Sequence, residues 1–165
     1  MYARAGGRNV YNLIATNING SLFARLASGP CRTYNSVTKI RIRLPTQVRF
    51  YYPDASVICR PNPPDDSFQD EPALIAEVLS ETTRRIDEGE KKDFYLTIAS
   101  LSVYLLVEST FSAVTLYRRT EQGFLIETYS GLDTVIPLSE FGIELPLAEV
   151  YRGVEFASEI DDEAG

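Results

Sequence analysis

Residues 73–79, ALIAEVL, constrain this chain more than any other stretch. Strand alternation puts Leu74, Ala76 and Val78 on one face and Ile75, Glu77 and Leu79 on the other. A strand apolar on both faces belongs inside a sheet, covered on both sides. Glu77 is then at least partly buried, and a buried carboxylate must be paired, hydrogen-bonded or bound to a metal. Further on, Lys91, Phe94, Tyr95 and Ile98 fall on one helical face at i, i+3, i+4 and i+7. Lys91 thus sits on the stripe that faces the core, where an ammonium must snorkel or meet an anion. A structural ion pair and a functional polar pocket both fit these two residues.

A second carboxylate shifts the balance. Asp54 follows Phe50-Tyr51-Tyr52-Pro53 and precedes the apolar run 55–59, ASVIC. Pro-Asp is common turn chemistry, but here it sets a carboxylate at the start of a core strand. Two carboxylates can hold a hard divalent cation, with waters completing its coordination. Such an ion polarises a phosphoryl oxygen and makes hydroxide available near neutral pH. A neighbouring ammonium can orient that water or stabilise charge developing on the phosphoryl oxygens. Asp54, Glu77 and Lys91, on strand, strand and adjoining helix, are therefore the candidate catalytic set.

Five blocks carry a resemblance to a known family: GPCRTYNSVTKIRI (29–42), YYPDASVIC (51–59), LIAEVLSETTRRIDEGEKKDFY (74–95), SVYLLVES (102–109) and ELPLAEVYRGV (144–154). Together they span nearly the whole chain, and the segment 77–95 is the most specific. The sequence resembles the Uma family of putative restriction endonucleases, within the PD-(D/E)XK nuclease superfamily. The resemblance implies a restriction-endonuclease-like α/β fold, a mixed sheet flanked by helices. It implies DNA as substrate and Mg²⁺ or Mn²⁺ as cofactor. Asp54 and Glu77 would be metal ligands, assisted by the Val78 carbonyl. Leu79 stands at the usual lysine position of the signature, and Lys91 would be the lysine displaced onto the following helix. By the same comparison the chain begins inside a hairpin. Tyr11 stands where the family often has His, and Val37 where it often has Asp.

The sequence contains no histidine. That excludes Ser-His-Asp catalysis, His-ligated zinc and a histidine base. Cys31 and Cys59 lack finger or CxxC spacing, and each adjoins an apolar strand, so both read as reduced packing residues. The formal net charge is -7, which by itself disfavours a nucleic-acid partner. Its distribution is uneven. Residues 1–53 hold eight basic residues and no acid; the remaining eight bases and all 23 acids make residues 54–165 carry 8 - 23 = -15. Such asymmetry suits one cationic face.

That face has a candidate. In residues 39–44, KIRIRL, Lys39, Arg41 and Arg43 alternate onto one side and Ile40, Ile42 and Leu44 onto the other. The cations are either a solvated, edge-protecting face or a strip of phosphate contacts. Tyr95, one turn after Lys91, is either core or a further substrate contact.

The remaining chain reads as one domain, residues 1–154, with an acidic tail at 155–165. A helix is expected at 10–26, with Val10, Leu13, Ile14, Ile18, Leu22, Phe23 and Leu26 as core. Strands are expected at 31–34, 39–44, 48–52, 55–59, 73–79, 103–108, 113–118, 124–129 and 134–138. A helix is expected at 85–99, with Glu81 and Thr82–Thr83 as its capping chemistry and Asp87 orienting Lys91, and a helical turn at 147–150. Strand–helix–strand order makes strands 73–79 and 103–108 parallel. The Pro- and Asp-rich stretch 60–72 reads as a surface loop with solvated acids, although Glu71 is a candidate to reach a metal. The absence of an apolar span makes cytoplasmic the default. A homodimer is a further expectation, since cutting both DNA strands pairs two sites across a two-fold axis. The rival readings are a non-catalytic nuclease-like domain that binds nucleic acid or protein, and a hydrolase of another phosphoester.

Overall fold

A computed structural model describes residues 2–80 and 87–156 of the chain, with side chains for 9–80 and 89–156. Its frame is a six-stranded mixed sheet in the order β1-β4-β6-β7-β8-β9. These strands are β1 (Arg32–Asn35), β4 (Ala55–Ile58), β6 (Pro72–Val78), β7 (Val103–Val107), β8 (Ala113–Thr120) and β9 (Gly123–Ser130). β6 and β7 are the inner pair and run parallel, as the crossover between them requires; the other pairings are antiparallel. A second sheet has the order β3-β2-β5, from β2 (Lys39–Arg43), β3 (Val48–Tyr51) and β5 (Phe68–Gln69). β10 (Val135–Leu138) and β11 (Ile143–Pro146) form a separate hairpin.

The alternation of β6 divides the core as expected. Leu74, Ala76 and Val78 join Ala55, Val57, Leu105 and Leu116 on one face. That face is covered by Ile14, Ile18 and Leu22 of α1 (Tyr2–Arg25) and by Leu147 and Val150 of α3 (Leu147–Val150). Ile75 and Leu79 join Ile58, Tyr104 and Leu106 on the other face, beneath Ile40, Ile42, Tyr95 and Leu101. Fully burying one Leu, Ile or Val contributes about 1.5–3 kcal/mol, so both faces of β6 are strongly anchored. α1 is tied to α3 by Ser21, whose hydroxyl donates to Glu149 at 2.6 Å, and by the Arg25–Glu149 ion pair.

Several expectations need correction. The first helix begins at Tyr2, so residues 2–9 continue a helix and do not belong to a hairpin. Leu13 and Phe23 of that helix are exposed, Phe23 by 67%; the buried stripe is narrower than the sequence suggested. The second helical region is short and irregular. A π-turn at Asp87–Lys91 leads into α2 (Lys92–Tyr95), and regular helix stops well before residue 99. Glu81 and Thr82–Thr83, the expected capping residues, lie outside the described residues, as does the side chain of Asp87 and most of the acidic tail. β5 interrupts the predicted 60–72 loop, and β11 is a strand the sequence reading missed.

The cysteines are the clearest reversal. Cys31 and Cys59 form a disulfide and are not reduced packing residues. Arg32 pairs with Ile58 in the β1–β4 ladder, so one step further along Cys31 comes opposite Cys59, with Cα atoms 4.1 Å apart. Two residues 28 apart in sequence become cross-strand neighbours only through that register. Among the described residues no helix is long and apolar enough to cross a membrane.

Candidate active site

The site forms where β4 and β6 run past each other. Ala55 pairs with Ala76 in this antiparallel ladder, so Asp54, one residue before β4, falls opposite Glu77. The register sets the two residues opposite each other, with the Asp54 carboxylate reaching Tyr11 of α1 and the Glu77 carboxylate reaching Tyr95. Both side chains are buried, Asp54 at 6% and Glu77 at 2% relative exposure. Each buried carboxylate needs hydrogen-bond donors, a proton or a cation to offset its lost hydration.

Asp54 is held on several sides. Its Oδ2 accepts the Val78 backbone N–H at 2.7 Å, which locks the carboxylate against the strand that carries Glu77. The Tyr11 hydroxyl lies 2.6 Å from both carboxylate oxygens. The Asn19 side-chain amide donates to the Asp54 backbone carbonyl at 3.0 Å, while its Oδ1 accepts from the Thr33 hydroxyl at 3.0 Å. Hydrogen bonds to an ionised carboxylate are among the stronger ones in proteins. α1 and β6 therefore fix Asp54 jointly. On its α1 side the carboxylate borders an open cavity of about 470 Å³, lined also by Asn12, Thr16, Phe23, Asn35 and Val37.

Glu77 faces the other half of the core. The Tyr95 hydroxyl approaches Glu77 Oε1 at 3.4 Å. Tyr95 is fully buried, with its ring 5.4 Å from that of Tyr51 and 5.6 Å from that of Tyr104. Its side chain touches the Glu77 carboxylate and the rings of the core. Lys91 closes the π-turn, and its Nζ lies 5.6 Å from the Tyr51 ring centroid. Lys91, Tyr51, Tyr95 and Glu77 form a continuous chain of contacts on one side of β6. π-turns recur at functional sites because the extra residue re-aims a side chain; here the residue at its end is Lys91.

The donor set suits a hard divalent ion. Two carboxylates beside the Val78 backbone offer oxygen ligands only, which is the chemistry such ions take. Among the described residues no three His, Cys, Asp or Glu side chains gather into a larger cluster. Glu71 is not part of the site. It is exposed just before β6, six residues from Glu77, or roughly 20 Å along an extended strand.

The basic strip lies on the second sheet. Arg41 makes a two-pronged pair with Asp70, at 2.8 and 2.7 Å, and its guanidinium stacks 4.0 Å from the Phe68 ring centroid. Those hydrogen bonds from Arg41 hold the Asp70 carboxyl below the usual carboxylate range. Asp70 is an ion-pair partner, where the sequence reading had it merely solvated. Arg43 lies 3.8 Å from the same carboxylate, and Lys39 sits 4.9 Å from the Phe50 ring centroid.

Sequence reasoning singled out Asp54, Glu77 and Lys91 as candidates; the structure adds Tyr11 and Asn19 as partners of Asp54 and Tyr51 as a neighbour of Lys91. Tyr11 had a visible signal: it precedes Ile14 and Ile18 by three and seven residues, on the buried stripe of α1. A polar group on such a stripe calls for a partner, and Asp54 is that partner.

The architecture is that of a restriction-endonuclease-like α/β domain. It superposes on the crystal structure of a "putative nuclease belonging to DUF820" from Anabaena variabilis ATCC 29413 with a TM-score of 0.69 and 14% identity, covering 86% of this chain and 79% of that one. The chain belongs to the Uma2 family, described as "Putative restriction endonuclease", whose pattern matches residues 1–148. It is 34% identical to the uncharacterised protein slr1290 of Synechocystis sp. (strain ATCC 27184 / PCC 6803 / Kazusa), over 94% of this chain and 82% of that protein. It is 31% identical to a second uncharacterised protein of that organism, sll1609, over 62% of this chain and 60% of the relative.

Proposed function

We propose that this chain is a metal-dependent endonuclease that hydrolyses DNA phosphodiester bonds. The observation that carries the reading is the burial of Asp54 and Glu77 at opposed positions of the β4–β6 register, in a chain of the Uma2 family. Asp54, Glu77 and the Val78 carbonyl would hold Mg²⁺ or Mn²⁺. When bound, such an ion polarises the phosphoryl group and acidifies water near neutral pH. The protein's own groups do the rest. Tyr11 and the Val78 N–H keep the Asp54 carboxylate in place, and Tyr95 supports Glu77 from beneath. Lys91 supplies positive charge toward the phosphate as its non-bridging oxygens gain negative charge. Lys39, Arg41 and Arg43 would contact the DNA backbone. Two copies of the chain would present two such sites to the two strands.

These roles separate experimentally. Lys91→Ala is expected to slow single-turnover cleavage by about a hundredfold. Its Mn²⁺ affinity, read by electron paramagnetic resonance titration, should stay close to that of the parent. Glu77→Ala should weaken Mn²⁺ binding strongly. Equal metal affinity in the parent and Glu77→Ala would remove Glu77 from the metal site.

A further inference from the structure

The outer face of the β3-β2-β5 sheet brings together groups that the sequence keeps apart. Ile40 and Ile42 of β2 point into the core, so Lys39, Arg41 and Arg43 point outward. Arg41 pairs with Phe50 across the β2–β3 ladder, and Lys39 pairs with Phe68 across β2–β5. Cross-strand partners share a face, so the two rings stand among the three cations. Lys39 lies over Phe50 and Arg41 over Phe68, and the two rings meet edge to face with centroids 6.3 Å apart. The face is open: Phe50 is 45% exposed and Tyr52, just past β3, is 55% exposed. Lys39, Arg41 and Arg43 stand against Asp70, with Asp66 also near Arg41, which leaves one cation in excess in a chain of net charge -7. Tyr52 is two residues from Asp54, so the face begins beside the carboxylate pair.

From this juxtaposition we infer that the outer face binds unpaired, single-stranded nucleic acid and leads it to the Asp54–Glu77 site. Cations alone would fit either duplex or single strand, because both offer phosphates. Exposed rings interleaved with cations discriminate, because only unpaired bases have faces free to stack on them. A duplex would meet Lys39 and Arg43 but leave Phe50 and Tyr52 without use. The inference deepens the nuclease reading by naming the form of substrate, and it rests on that reading for the destination of the strand.

The test is fluorescence anisotropy with a labelled single-stranded DNA oligonucleotide and the same oligonucleotide annealed into a duplex, both in EDTA so that no cleavage occurs. The parent should bind the single strand about tenfold or more tightly than the duplex. Phe50→Leu/Tyr52→Leu keeps apolar bulk but removes the rings; it should lose about tenfold in single-strand affinity and little in duplex affinity. Should that variant fail to fold, Tyr52→Leu alone, at an exposed position outside the strand, should lose part of the same preference. Lys39→Ala/Arg43→Ala should weaken both ligands and flatten the salt dependence. Equal affinity of the parent for the two ligands, or unchanged single-strand binding in folded ring variants, would overturn the inference. A parent that prefers single strands yet cuts nothing when metal is restored would leave the binding face standing and sink the nuclease reading instead.

Discussion

Asp54→Asn is expected to lose metal-dependent cleavage by about three orders of magnitude, the equivalent of several kcal/mol of transition-state stabilisation. It should do so while remaining folded. The asparagine carbonyl can still accept the Val78 N–H that Asp54 now accepts at 2.7 Å, and the side chain keeps its volume. What disappears is the charge. Asp54→Ala is a harsher change, since it strands a buried backbone donor at a cost of about 1–3 kcal/mol. Comparing the two by cleavage rate and thermal unfolding separates ligand loss from structural loss. Both variants should be nearly inactive, and only Asp54→Ala should unfold at a clearly lower temperature. An Asp54→Asn protein that cleaves at the parent rate would show that this carboxylate is not needed for the chemistry.

The second large effect concerns stability. Cys31→Ser/Cys59→Ser is expected to lower the unfolding free energy by about 3.5 kcal/mol, from the chain entropy that a loop of this length restores to the unfolded state. The 28-residue separation closed by the bridge contains β1, β2, β3 and β4. A loss of that size is a large share of the stability of a typical domain. The comparison is urea denaturation of the parent with and without dithiothreitol, alongside the double variant. Reduction should bring the parent close to the variant. A midpoint that dithiothreitol leaves unchanged would mean that the two sulfurs are not bonded.

Asp54 and Glu77 could be read in the sequence because each interrupts or borders a strongly apolar strand, and burial of a carboxylate is a costly anomaly that asks for a reason. The two faces of β6 could be read because alternation is local and strict. The disulfide could not, because it depends on the register of β1 against β4, which no local pattern encodes. The same limit hid the aromatic half of the basic face: Lys39, Arg41 and Arg43 alternate visibly along one strand, but Phe50 and Phe68 reach them from two others. The 3.6-residue spacing of Lys91 and Tyr95 correctly put them on one side of the core. It did not reveal the π-turn that ends at Lys91, because the stripe of Lys91, Phe94, Tyr95 and Ile98 begins only where that turn ends.

Asp54 and Glu77 are the proposed centre of a metal-dependent nuclease. Its most direct test is cleavage of circular single-stranded DNA and of supercoiled plasmid by the parent and by Glu77→Ala, each with Mg²⁺, with Mn²⁺ and with EDTA. The parent should cut the single-stranded circle, and more slowly nick the plasmid, with either metal and not in EDTA, and Glu77→Ala should leave both intact. Equal cleavage by both proteins, or none by folded parent at high concentration with either metal, would contradict it.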